Sequence, residues 1–151
     1  MTGVDLGETA IQVAKLKALE LGLNIDYRHS SAEHLAATEP QSFDLVTCLE
    51  LLEHVPDPAS TVEACANLAS SGADVFFSTI NRNPKAYLLL VVGAEYVMNL
   101  LPRGTHEYEK FIKPSELDEW ARDADLELKD SIGLHYNPIT KNYWLADGLD
   151  R

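Results

Sequence analysis

The feature that most narrows the fold is a repeated change of hydrophobic period, with short apolar or alternating stretches separated by stretches of helical spacing. Met1–Asp5 reads as a short strand ending in an acid. Glu8–Leu21 places Ile11, Ala14, Leu16, Ala18, Leu19 and Leu21 in a helical pattern, with Gly22 positioned to end it. Asn24–Arg28 alternates Ile25 and Tyr27 as a strand would, Ser31–Ala37 is a short turn or helix before Pro40, and Phe43–Cys48 reads as a buried strand. Asp57 or Ser60 can cap a helix to about Ala69, Ser70-Ser71-Gly72 reads as the turn out of it, and Ala73–Thr79 as another strand. After an apolar stretch to Leu101, Ser115 caps a helix to about Ala124, and two last strands are expected in Glu127–His135 and Lys141–Ala146. Such alternation builds an α/β fold with a mostly parallel sheet. With 151 residues there is enough chain for one domain, 1–151, and too little for two ordinary ones.

The net charge of −12 disfavours nucleic acid as a partner, because binding it requires Lys and Arg to displace counterions. Charge is uneven, however. Between Arg82 and Lys113 five basic residues face three acidic ones, so that window is +2 and the rest of the chain −14. Cys48 and Cys65 sit in apolar runs with no CxxC, as expected of buried thiols in a reducing compartment. The start of the chain shows no charged and apolar leader pattern, so no secretory signal is expected.

Three constellations carry chemistry. In Thr2-Gly3-Val4-Asp5 an acid ends a strand that leads into a helix, where it can accept hydrogen bonds from the two ribose hydroxyls of a nucleoside. It can equally be an ordinary helix cap. In Phe43–Val55 a strand runs into a turn of helix, and Glu50, Glu53 and His54 at i, i+3 and i+4 share one helical face. Two carboxylates and an imidazole so placed can hold a hard cation such as Mg²⁺, or His54 can take a proton directly. The competing reading is a solvated polar face. The third is Asn83–Thr105, apolar but interrupted by Gly93, Glu95 and Asn99, with Tyr87 and Tyr96 and basic flanks. It is either a surface helix touching lipid or a core helix, and its apolar run is too short to span a bilayer.

Taken together, "VTCLELLEHVPDP", "DVFFSTINRNPKAYLLLVVGAEYVMNLLPRGTHEYEKFIKP" and "GLHYNPITKNYWL" resemble the ubiquinone-biosynthesis O-methyltransferases of the class I methyltransferases, and the likeness covers residues 1 to 150. It implies a Rossmann-like sheet with an antiparallel C-terminal strand pair. It also implies S-adenosylmethionine as cofactor, with Asp5 on its ribose and Leu49 lining its pocket. Glu50, Glu53 and His54 match positions that the family uses for Mg²⁺. The substrates implied are hydroxyls of polyprenylated catechol and hydroquinone intermediates, with His54 as the base and Mg²⁺ lowering the phenol's pKa.

The resemblance also exposes a departure. The family carries an N-terminal helical section, then a strand leading into a GxGxG loop that cradles the cofactor, and none of the eight glycines here forms that loop. By that pattern Met1–Asp5 corresponds to the second strand, and a first strand between it and Phe43–Cys48 is missing. The chain by itself is therefore expected to be an incompetent enzyme, and an oligomer or a rearranged sheet if it folds. Implied partners are a polyprenylated phenol, the lipid surface through Asn83–Thr105 and other ubiquinone-biosynthesis proteins, at a cytoplasmic or matrix-side inner-membrane location. Two rival readings stand beside this one. An inactive fragment or lipid-binding scaffold is the first. The second, an NAD(P) Rossmann oxidoreductase of short-chain type, lacks its Tyr-x-x-x-Lys.

Overall fold

The computed structural model of the chain describes residues 1–82, 108–137, 140 and 142–147. Contacts gather these into two compact units, Met1–Thr47 with Ala64–Val75, and Cys48–Glu63 with Phe76–Arg151. Each is described by itself.

In the first unit, β1 (Thr2–Asp5), α1 (Glu8–Glu20) and β2 (Asp26–His29) form a strand–helix–strand unit whose strands pair in parallel, with Gly3 opposite Tyr27 and Asp5 opposite His29. A parallel pair needs such a crossover. Gly3 is required by the close approach of Tyr27, since a Cβ there would stand 2.8 Å from its ring. The end of α1 follows from Gly22, which adopts φ +65 and so lets its own N–H reach the Leu19 carbonyl and the Leu23 N–H that of Ala18. Ser31 starts α2 (Ala32–Thr38) by accepting the His34 N–H at 3.1 Å. Arg28 is hydrogen-bonded to Glu39 and Asp26, in that order of influence, and both hold its guanidinium above its ordinary pKa. The core here is Leu35 and Ala36 of α2 with Ala64 and Leu68, and Val4, Phe43 and Val46 pack against it.

β3 (Phe43–Leu49) pairs with β4 (Ala69–Ser78). The expectation of a fully buried strand is corrected, for Leu45 is 55% and Leu49 59% exposed. Among the described residues, ladders join β1 to β2 and β3 to β4. The expected turn at Ser70-Ser71-Gly72 lies inside β4. Gly72, at φ +82, bends the strand without ending it, and Ser70 donates its hydroxyl to the Asp44 carboxylate at 3.1 Å. Asp57, rather than Ser60, caps α3 (Pro58–Leu68), accepting the Ser60 N–H at 3.1 Å.

In the second unit, a 3₁₀ turn (Leu52–His54) is anchored by Leu52, which is fully buried. Burial of such a side chain contributes about 1.5–3 kcal/mol. Phe111 and Ile112 are buried as well, and Ile112 bridges to Asn81 in parallel. α4 (Pro114–Asp123) starts from Lys113 and not Ser115: Pro114 presets the first turn, and Glu116 reaches back to the Lys113 N–H at 2.9 Å. Arg82 is ion-paired with Glu116. β5 (Gly133–Asn137) and β6 (Asn142–Ala146) form the antiparallel pair, with His135 stacked on Trp144 at 5.4 Å between centroids. The expected lipid-facing segment Asn83–Thr105 lies outside the described residues.

Candidate functional site

Asp5 stands, exposed, at the carboxyl end of β1. Its Oδ1 accepts the Gly7 N–H at 2.6 Å, which shapes the turn into α1. β2 holds the same turn: the Ser30 N–H donates to the Asp5 carbonyl at 3.1 Å, and His29 Nε2 lies 2.8 Å from the Leu6 carbonyl. The carboxylate is thus a local cap, yet it stays accessible and keeps acceptor capacity, as a ribose ligand must. Asp5 fits a nucleoside cofactor.

The second cluster begins where β3 ends. Leu49 is exposed, and Glu50 turns the chain through a left-handed conformation at φ +50. For a non-glycine residue that conformation costs about 1–2 kcal/mol. It is offset by β4: the Glu50 N–H donates to the Ser78 carbonyl at 3.0 Å and to the Ser78 hydroxyl at 3.1 Å, and that hydroxyl donates to Glu50 Oε1 at 2.6 Å. A serine hydroxyl has one proton and two lone pairs, so both bonds can be made at once. Glu53 is only 4% exposed; its Oε2 accepts the Thr79 hydroxyl at 3.2 Å and its Oε1 the Ile80 N–H at 3.4 Å. A buried carboxylate requires such donors. His54, by contrast, is exposed.

This corrects the expected helical face. Glu50 precedes the 3₁₀ turn, Glu53 points inward from it and His54 is exposed, so i, i+3 and i+4 do not align. No three His, Cys, Asp or Glu side chains among the described residues are grouped so as to hold a metal ion. Both Glu53 oxygens are already engaged by protein donors. As placed here the three side chains are not gathered around one point, although each carboxylate keeps lone pairs beyond those its protein donors use. What the sequence reading missed is Ser78 and Thr79, although two hydroxyls directly after an apolar strand signal a polar strand end.

Residues 1–77 match the family model described as Methyltransferase domain. The chain belongs to the methyltransferase domain family. It is 61% identical over 150 residues to a ubiquinone biosynthesis O-methyltransferase of Stutzerimonas stutzeri, covering 99% of this chain and 65% of that protein. It is 63% identical over 150 residues to the protein so named from Nitrosospira multiformis, covering 99% and 63%. The chain thus spans less than two thirds of the length of these curated relatives. In fold, it matches a SAM-dependent methyltransferase of Thermotoga maritima, described as a possible histamine N-methyltransferase. That match has a TM-score of 0.68 at 16% identity over 98% of this chain and 68% of that one. A Bacillus halodurans protein described as a putative methyltransferase matches at TM-score 0.65 and 19% identity, over 90% of this chain and 56% of that one. The parallel β1–β2 pair and the antiparallel β5–β6 pair agree with the class I methyltransferase fold.

Proposed function

We propose that this chain serves S-adenosylmethionine-dependent O-methylation of hydroxyl groups on polyprenylated catechol or hydroquinone intermediates of ubiquinone biosynthesis. The observation that carries the reading is about three-fifths identity, across nearly the whole chain, to proteins named for that pathway. Asp5 would hold the ribose of the cofactor, which when bound supplies a methyl group on a positively charged sulfur. At the end of β3 the exposed Glu50 carboxylate would accept a hydrogen bond from one hydroxyl of the acceptor, and His54 would take the proton of the other.

Magnitudes decide the timing. A phenol's ordinary pKa near 10 puts free phenolate at neutral pH about 4 kcal/mol above the phenol. Free phenolate formed in advance would therefore be costly, and proton transfer to His54 accompanies attack. The phenol oxygen bonds to the methyl carbon as the carbon–sulfur bond breaks in line behind it. The proton ends on His54. Positioning of the two partners supplies much of the remaining acceleration.

A polyprenyl acceptor resides in a bilayer, so the enzyme would work at the cytoplasmic or matrix face of the inner membrane, with the Asn83–Thr105 segment meeting the lipid and other proteins of the pathway nearby. The experiment measures methyl transfer from labelled S-adenosylmethionine to a polyprenylated catechol. It compares this chain with the same chain carrying an upstream strand and GxGxG segment. Turnover is expected from the extended form, and His54→Ala should lower kcat there by about 10²–10⁴-fold, the usual range for losing a general base. Absence of methyl transfer from both forms, or an unimpaired His54→Ala, would refute the reading.

A further inference from the structure

Ser78 and Thr79 touch neither the ribose-binding acid nor the proposed base, yet each reaches 26 to 28 residues back along the chain to a carboxylate at the end of β3. We propose that Ser78 and Thr79 are positioning residues for the methyl-acceptor site: the end of β4 dictates where the Glu50 and Glu53 carboxylates stand, and through Glu53 the turn that carries His54. This rests on the acceptor being bound at Glu50 and His54, as proposed above.

Four observations support it. Glu50 is exposed, so its bond to Ser78 adds little to stability on its own. The left-handed turn at Glu50 would be relieved by glycine, so stability alone would not select a carboxylate there. A strained, side-chain-bearing residue held by a second element points to function. Ser78 engages both the Glu50 N–H and its Oε1, which couples the backbone turn to the direction of the carboxylate. Thr79 and the Ile80 N–H each take one oxygen of Glu53, fixing a buried side chain directly before His54 in the 3₁₀ turn. The β4 end therefore sets both halves of the acceptor site, one through an exposed carboxylate and one through a buried one.

The test combines melting of this chain with turnover of the form carrying the upstream segment. Ser78→Ala should lower kcat by about tenfold or more, as for a misplaced reacting group. The KM for S-adenosylmethionine should stay within about twofold and Tm within about 4 °C, the scale of a 1 kcal/mol change. Ser78→Thr should restore turnover. Thr79→Val should lower both kcat and Tm, Thr79→Ser should restore both, and the Tm effect of Thr79→Val should disappear in a Glu53→Leu background, which offers no acceptor. Glu50→Gly should raise Tm yet lose turnover, a combination that no purely structural role produces.

The outcomes separate cleanly. If Glu50→Gln impairs turnover while Ser78→Ala and Thr79→Val leave it intact, the positioning role is wrong and the acceptor site stands. If Glu50→Gln leaves turnover unchanged, the acceptor reading itself falls, and this proposal with it. Should neither form turn over, the acceptor reading falls and this proposal with it.

Discussion

Asp5 and Glu50 each end a strand with a carboxylate, and each is bonded to protein before any ligand arrives. Their constraints differ. Asp5 serves its own turn through a neighbour two residues away, so the site is local and readable from the Thr2-Gly3-Val4-Asp5 order. Loss of its charge should then be felt mainly by the cofactor. In the extended form, Asp5→Asn is expected to weaken S-adenosylmethionine by about 1–3 kcal/mol, the value of a charge-assisted acceptor. Calorimetric titration with S-adenosylhomocysteine measures it, and an unchanged affinity would remove Asp5 from the site. Glu50 and Glu53 depend on donors more than two dozen residues away, so spacing alone assigned them to one helical face, wrongly.

At the level of elements, the helices were legible because their signals are local. The 3.6-residue pattern of α1, the serine before α2 and the aspartate before α3 each act within one turn. At α4 the expected cap, Ser115, gives way to Lys113 because the fixed φ of Pro114 suits the first helical position. The end of α1 makes a measurable claim. Gly22 sits at φ +65, so Gly22→Ala should destabilise the chain by about 1–2 kcal/mol. Urea unfolding followed by circular dichroism reads this as a lower midpoint. A Cβ at Gly22 would meet no atom within 4 Å, so any loss there belongs to backbone conformation and not to a clash. An unchanged midpoint would mean that the left-handed cap does not persist in solution.

For the whole molecule, the distribution of charge and apolar residues points to a surface. The +2 window from Arg82 to Lys113 in a chain of net charge −12 is the part suited to an anionic bilayer. No helix among the described residues is long and apolar enough to cross a membrane. The lipid contact proposed for Asn83–Thr105 would be electrostatic and hydrophobic together. The chain is expected to co-sediment with anionic liposomes at low salt, to be released as salt rises, and to bind less after Leu89→Glu with Leu100→Glu. Retention of the double variant on liposomes, or no association of the parent chain, would favour a core role for Asn83–Thr105.

What the sequence by itself determined is the α/β order of elements, the end of α1 at Gly22 and the acid at the tip of β1. All of these rest on spacings and interactions within a few residues. Tertiary structure decided the rest. It paired Ser78 with Glu50 and Thr79 with Glu53, left Leu45 and Leu49 exposed on a strand that reads as buried, and carried β4 through Ser70-Ser71-Gly72. The physical reason is common to all three. Whether a polar group finds a donor, or an apolar one finds cover, depends on which strand becomes its neighbour, and strand neighbours are set by pairing between distant segments.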